Sequence, residues 1–377
     1  MVCCSVNCAM FLFAMLMLAA CAGLPVRGSV EGQALETRVD SEAARYYLAN
    51  YLADRRQDVL LDQRIDRVYQ NANGSLPSRD DLKKLSDDFS VDFAALYLAD
   101  QIGRVPINRR FRHAFDQAYE YTRKALPEGR LSLPAAAAKY EVLFVPTYLY
   151  KRLVVTGADM AVPREALKKA GFTCSFVETQ DDGTVEANAD TVAAAIRKRA
   201  QSGRRLIVVS ASKSSAEVAL ALTRMDPAET RHVAAWLNTV GALQGTPLVD
   251  ERAFPETEWL FGKVDAAGIE SLSAARSRQR FDSFRLPQHV LVVNYFGIPT
   301  IGSISLIART GFFLLRKHGP NDGFILLGDL IFPGGVTLAQ LGRDHIQVND
   351  GVDITAVALT LTLLGWLENQ DSPVSAG

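Results

Sequence analysis

The rhythm of apolar and polar positions changes near residue 140. From Ala34 to Leu126, apolar residues recur three and four apart, the period of amphipathic helices. Ala43–Ala53 is one such stretch and Val91–Ile102 another, with Phe93, Leu96 and Leu98 among alanines. Ser78 is a suitable N-cap for a helix opening on Asp80-Asp81-Leu82. Beyond Tyr140, short unbroken apolar runs alternate with helical patterns, which predicts a parallel sheet with helices on both faces. The predicted strands are Glu141–Pro146, Phe172–Glu178, Leu206–Val209, Val233–Asn238 and Val290–Tyr295. Pro163–Ala170, ended by Gly171, and Val185–Ala200 are predicted helices. Val336–Leu341 is a further apolar segment. Ile354–Leu367 is too short for a membrane span and holds three threonines, so it reads as a final helix laid on the sheet.

The N-terminus departs from this pattern. No charge precedes Arg27, and the apolar run Ala9–Ala20 ends at Cys21. About 20 residues are needed to span a bilayer, so this run fits the apolar part of a secretory signal instead. Leu18-Ala19-Ala20-Cys21 resembles the lipobox of bacterial lipoproteins. The resemblance implies a signal peptide over 1–20 and acylation of Cys21, with palmitate, as a membrane anchor. It also implies a place in the bacterial cell envelope. Ala22 after Cys21 is not the Asp that would suggest inner-membrane retention, so the outer membrane, facing the periplasm, is expected. The start lacks the Lys or Arg usual in such signals, which keeps a plain signal or a core helix as alternatives. The expected organisation is a linker over 21–33, a helical subdomain over 34–135 and an α/β domain over 136–377.

Composition narrows the function classes. The 377 residues are 48% hydrophobic and 22% charged with a formal net charge of -1, which gives no basic surface for nucleic acid. Cys3, Cys4 and Cys8 would leave with the signal and Cys21 would carry lipid, so Cys174 alone remains and no disulfide is expected. The five histidines stand singly, without zinc-ligand spacing. No metal and no cofactor is expected. Composition does not give the oligomeric state.

The candidate chemistry centres on Gly203–Leu222. An apolar run to Val209 is followed by Ser210-Ala211-Ser212-Lys213-Ser214 and then by helix formers from Ser215. A strand that turns directly into a helix exposes Ser212 at the sheet's carboxyl edge, beside a helix N-terminus that favours negative charge. This arrangement resembles the nucleophile elbow of the α/β-hydrolase superfamily, especially its lipase-like and esterase-like members, although Ser210 and Ser214 replace the two glycines of the usual Gly-x-Ser-x-Gly. The loop Thr239–Asp250, rich in glycine and small residues, is similar to a lipase loop, without its usual Pro-His pair.

The resemblance spans Tyr140 to about Leu367 and implies an α/β-hydrolase-like, mostly parallel sheet. It also implies a triad in the chain order nucleophile, acid, histidine. Ser212 would be the nucleophile and His345 the base, since a serine needs a base to take its proton. His318, before the acid, has the wrong order. The acid would be Asp322, in an Asn-Asp-Gly turn, or alternatively Asp329, a lone acid among apolar residues. The backbone amides of Lys213 and Tyr148 would form the oxyanion hole. Residues 250–287, which hold Trp259, Leu260 and Phe261, would be a cap over the pocket or an ordinary surface excursion.

Two other chemistries are disfavoured. Ser210-Ala211-Ser212-Lys213 spells Ser-x-x-Lys, but Ser210 ends a strand and no Ser-Asp-Asn or Lys-Thr-Gly follows. No glycine-rich loop offers amides to phosphate. The expectation is hydrolysis of a small-molecule or lipid ester, carboxylic or thio, through an acyl-enzyme. The competing expectation is a catalytically silent hydrolase fold serving as an envelope binding or scaffold module.

Overall fold

The structure is a computed structural model that describes residues 23–72, 74–251, 265–346 and 351–371. The expected signal peptide, Cys21 and the aromatic run Trp259–Phe261 lie outside the described residues.

The chain opens on a hairpin. Strands β1 (Leu24–Val30) and β2 (Gln33–Val39) pair antiparallel around Glu31-Gly32, both at positive φ (+47° and +81°). Their alternation buries Val26, Val30, Leu35 and Val39. This corrects the linker expected over 21–33, and the helical segment expected from Ala34 begins instead at Glu42. Helix α1 (Glu42–Tyr46) runs into a π-helical turn, Tyr47–Tyr51. Helix α2 (Val59–Gln70) follows, then α3 (Arg79–Asp88), opened by a capping box between Ser78 and Asp81. Helix α4 (Val91–Arg104) is buried on every side from Val91 to Ile102. Helix α5 (Pro106–Ala125) does not stand apart from the α/β part: Arg112 donates to the Ala339 carbonyl, and Asn108 Oδ1 accepts the Thr337 amide at 2.8 Å.

From Tyr140, strands and helices alternate as expected. The elements are β3 (Tyr140–Val145), α6 (Ala161–Lys169), β4 (Cys174–Phe176), α7 (Val185–Ala200), β5 (Arg205–Ala211), α8 (Lys213–Arg224), β6 (Val233–Thr239), α9 (Ala274–Ser283), β7 (Leu291–Ile298), α10 (Leu306–Leu315), β8 (Val336–Leu341) and α11 (Val352–Asp371). Strands β3 to β8 form one sheet in the order β4-β3-β5-β6-β7-β8, every neighbour parallel. The predicted strand over Phe172–Glu178 contracts to three residues at one edge, and the apolar segment Val336–Leu341 is the strand at the other.

Alternate residues of each strand feed two cores. Leu143, Val145, Leu206, Val208 and Trp236 face one side, with residues of α4, α7 and α8. Val142, Phe144, Ile207, Val209 and Leu237 face the other, with residues of α5, α6 and α11. Burying each such side chain stabilises the fold by about 1.5–3 kcal/mol, which explains the continuous apolar runs of the central strands. Helix α11 is long and apolar enough to cross a membrane, but Val357, Leu359, Leu363, Leu364 and Leu367 are buried in the second core. The chain runs outward from β3 to β4 and then crosses back to β5, so the strand order reverses between β3 and β5 and opens a crevice at their carboxyl ends, where the candidate site lies.

Candidate active site

Ser212 joins β5 to α8 at φ +53°, ψ −122°. An L-residue in such a region costs about 1–3 kcal/mol and persists only where its surroundings hold it. Here they do. The Ser212 amide donates to the Thr239 carbonyl at 3.0 Å, and its own carbonyl accepts the amides of Ala242 (3.0 Å) and Ser215 (3.1 Å). The two serines that stand in place of glycines are both fully buried. Ser214 Oγ accepts the Ala211 amide at 2.9 Å and lies 2.9 Å from the carbonyls of Val145 and Ala211, so its proton ties the elbow to β3. Ser210 Oγ accepts the Trp236 indole N–H at 2.8 Å and shares a hydrogen bond with Ser215 Oγ at 3.0 Å. Gly241 lets the loop after β6 pass the elbow: a Cβ there would collide with Asn238 Oδ1 and sit 2.7 Å from Ser215 Cβ.

His345 follows β8 and reaches back to the elbow. Its Nε2 is 3.0 Å from Ser212 Oγ, and its Nδ1 is 2.7 Å from Asp322 Oδ2. The His345 amide also donates to the Asp322 carbonyl at 2.9 Å, and the Phe324 ring lies 5.0 Å from the imidazole. Asp322 is fully buried, yet each carboxylate oxygen is used: Oδ1 accepts the amides of Phe324 (3.0 Å) and Ile325 (2.8 Å), leaving Oδ2 to His345. Gly323, at φ +98°, makes this turn possible. The structure therefore brings Ser212, His345 and Asp322 together.

It does not place Asp329 with them. That carboxylate forms an ion pair with Arg79 Nη1 at 3.5 Å, and burial, partly offset by Arg79, pushes it up to about 6. His318 pairs instead with Glu251 at 2.5 Å.

Two backbone amides near the serine make no hydrogen bond among the described residues. Lys213 is the first residue of α8, so its N–H has no carbonyl one turn earlier to bond. In the loop after β3, the Thr147 amide donates to Ala158 O (3.1 Å) and the Leu149 amide to Asp181 O (2.8 Å). The Tyr148 amide between them makes no hydrogen bond among the described residues. The Lys213 side chain is buried and paired with Glu217, which burial raises above the usual carboxylate range.

Ser212 and His345 line a cavity of about 650 Å³. Its wall continues through buried Phe144, Val209 and Leu237 of the sheet to Leu359 of α11, while exposed Val162 and Ile307 mark its open side. Ile269 and Leu272, from the described part of the stretch expected as a cap, also line it. Among the described residues, no group of three or more His, Cys, Asp or Glu could hold a metal ion.

No family model matches the chain, and no curated protein matches it either. Solved structures do. A metagenomic carboxyl esterase, MGS0156, superposes with a TM-score of 0.52 at 20% identity, over 63% of this chain and 78% of that one. The mature lipase BlEst2 of Bacillus licheniformis gives a TM-score of 0.49 at 19% identity, over 63% of this chain and 95% of that one. The fold is that of an α/β-hydrolase.

Within this α/β-hydrolase fold, Ser212 occupies the turn at the end of the third strand in sheet order, and His345 lies just beyond the edge strand. Sequence reasoning names Lys213 for its amide and for the disfavoured Ser-x-x-Lys reading, and expects its side chain, which pairs with Glu217, to be solvated or paired. It misses Glu217 and Asn188, the buried side chains behind the elbow. Their signal is in part legible, since Lys213 and Glu217 stand four apart at the start of a predicted helix.

Proposed function

We propose that the chain is a serine hydrolase of carboxylic esters with apolar chains, working through an acyl-enzyme. The observation that carries this reading is the hydrogen-bonded series Asp322–His345–Ser212, ending on a serine held at φ +53° in the wall of an apolar cavity. Ser212 Oγ attacks the ester carbonyl while His345 Nε2 takes its proton. Asp322 fixes the ring with Nδ1 protonated and stabilises the imidazolium as it forms. The negative charge of the tetrahedral intermediate falls to the amides of Lys213 and Tyr148, and one such donor is typically worth about 10²–10³ in rate. Collapse of the intermediate expels the alcohol, which takes the proton from His345. Water, deprotonated by the same imidazole, then releases the acid and restores the serine.

The test is labelling of the soluble chain from Gly23 onward by a fluorophosphonate. Labelling of the parent chain, absent from Ser212→Ala and strongly reduced in His345→Ala, is expected. A well-folded parent chain that does not label would overturn the reading and leave a silent hydrolase fold with a binding role.

On the same reading Cys21 bears the lipid that holds the enzyme to the outer membrane, with the described residues in the periplasm. Radiolabelled palmitate should enter the full chain expressed in a Gram-negative host, and Cys21→Ser should abolish that label and move the protein to the soluble fraction. Equal palmitate labelling of Cys21→Ser would remove the anchor from the proposal.

A further inference from the structure

Helix α8 carries an ion pair where none is needed for solubility. Lys213 and Glu217 are 1% and 2% exposed, and the Lys213 ammonium donates to Glu217 Oε1. Burying two charges costs several kcal/mol each, and well-packed apolar residues are often as stable or more so. The pair is therefore poorly explained as a source of stability. Its connections suggest a different role.

Glu217 Oε1 also accepts Asn188 Nδ2 of α7 at 2.9 Å. Asn188, itself 2% exposed, brackets Gln180: its Nδ2 donates to the Gln180 carbonyl at 3.0 Å and its Oδ1 accepts the Gln180 amide at 3.0 Å. The next residue, Asp181, holds the loop after β3. Its carbonyl accepts the Leu149 amide at 2.8 Å and its Oδ1 accepts the Lys151 amide at 2.8 Å. Leu149 stands at φ +55°, so this grip keeps a strained residue in place. Tyr148, between Thr147 and Leu149, carries one of the two amides that make no hydrogen bond among the described residues. The other belongs to Lys213, where the series begins. A second link is direct, because the Lys213 ammonium lies 5.9 Å from the centroid of the Tyr148 ring.

We propose that Lys213, Glu217 and Asn188 are positioning residues that set the distance between the two oxyanion-hole amides, by tying the nucleophile elbow to the loop that carries Tyr148. This rests on the catalytic reading above. Two donors on separate elements stabilise the oxyanion only if both are in place before charge develops, and a misplacement of about 1 Å can cost on the order of 10²-fold in rate. A buried, hydrogen-bonded series fixes such a separation because its members lack alternative partners in a dry interior. Glu217 Oε2 has no hydrogen-bond partner among the described residues, so the side chain is held by Oε1 alone, at the junction of the lysine and the asparagine.

The experiment uses the chain from Gly23 onward in three forms: parent, Lys213→Met/Glu217→Met and Asn188→Ala. Three readouts are taken: melting temperature, kcat and KM for p-nitrophenyl butyrate, and hydrogen–deuterium exchange of the peptide spanning 146–152. The double variant should melt within a few degrees of the parent, since an apolar pair replaces the ion pair. Its kcat should fall on the order of tenfold or more at nearly unchanged KM, and exchange at 146–152 should accelerate. Asn188→Ala, which leaves the ion pair intact, should reproduce the kcat loss and the faster exchange, and it carries the test if the double variant does not fold. Unchanged exchange at 146–152 in the folded variants overturns the link, whether or not the parent hydrolyses esters. A parent that neither labels nor turns over, with exchange accelerated in the variants, would keep the tie and remove the catalytic reading instead.

Discussion

At the scale of single residues, the elbow shows how a departure from a family pattern can be compensated locally. Ser214 stands where a glycine is usual, and its hydroxyl takes up the Ala211 amide and the carbonyls beside it. Ser214→Gly would restore the usual residue but free those groups in a buried site and loosen the chain, so it should destabilise the fold by about 1–3 kcal/mol, seen in chemical denaturation. A neutral or stabilising result would show that the hydroxyl is incidental. The two acids make a second contrast. Asp322→Asn should lower kcat on the order of 10³–10⁴-fold, because an amide cannot hold the imidazole with Nδ1 protonated, while Asp329→Asn should leave kcat within about twofold. The reverse order would reassign the acid. The order Ser212, Asp322, His345 is read in the chain through its resemblance to α/β-hydrolases, and in the structure the three residues meet at the carboxyl edge of the sheet. The choice between Asp322 and Asp329 is less legible, since an Asn-Asp-Gly turn is also an ordinary surface turn and a lone acid among apolar residues, as at Asp329, equally asks for a partner.

At the scale of elements, the alternating half was legible because buried parallel strands write themselves as apolar runs. The hairpin β1–β2 is weakly written in the chain: two seven-residue runs flank a two-residue turn, but Glu31-Gly32 is not one of the Asn-Gly, Asp-Gly or Gly-Gly pairs that mark such turns. Only about half of each strand is apolar, because one face stays in water. Helix α5 illustrates a different limit: amphipathicity predicts a helix but not which surface its apolar stripe meets, here α11 through Phe111 and Trp366 with rings 5.2 Å apart. Helix α11 in turn walls the cavity with Ala356 and Leu359. If the ester's chain lies there, each added CH₂ buried should raise kcat/KM about fourfold, from roughly 0.8 kcal/mol per methylene, until the cavity is full. Ala356→Phe, placed in that wall, should shift the preferred p-nitrophenyl ester to shorter chains while leaving kcat for the acetate ester largely intact. An unchanged chain-length profile would place the chain elsewhere.

At the scale of the whole molecule, the N-terminal hairpin meets the sheet through bonds such as Gly302 N–H to the Arg38 carbonyl (3.1 Å), and a buried carboxyl lies at the same joint. Asp92, in the first turn of α4, accepts the Asp40 amide at 2.9 Å from the end of β2 and the Ile301 amide at 3.1 Å from beyond β7. The Asp40 carboxylate beside it pairs with Arg316 at 2.7 Å, just past α10. Burial, and then repulsion from Asp40, push Asp92 up to about 8, against the pull of the Ile301 amide and Arg316. The sign of the pH effect follows. In the unfolded chain this carboxyl ionises near its ordinary value of 3.8, whereas in the fold it keeps its proton to about 8. Between those values the fold binds a proton that the unfolded chain has lost, so rising pH favours unfolding, and the loss is complete once pH exceeds the folded value. Asp329, pushed up to about 6, acts in the same direction over a narrower window. Asp92→Asn keeps an acceptor for the two amides and removes the titration. The parent chain should therefore lose on the order of 1–3 kcal/mol more than Asp92→Asn between pH 5 and pH 8.5, read by chemical denaturation at each pH. Parallel curves for the two proteins would mean that Asp92 titrates as an ordinary carboxyl and contributes nothing to the pH dependence of the fold.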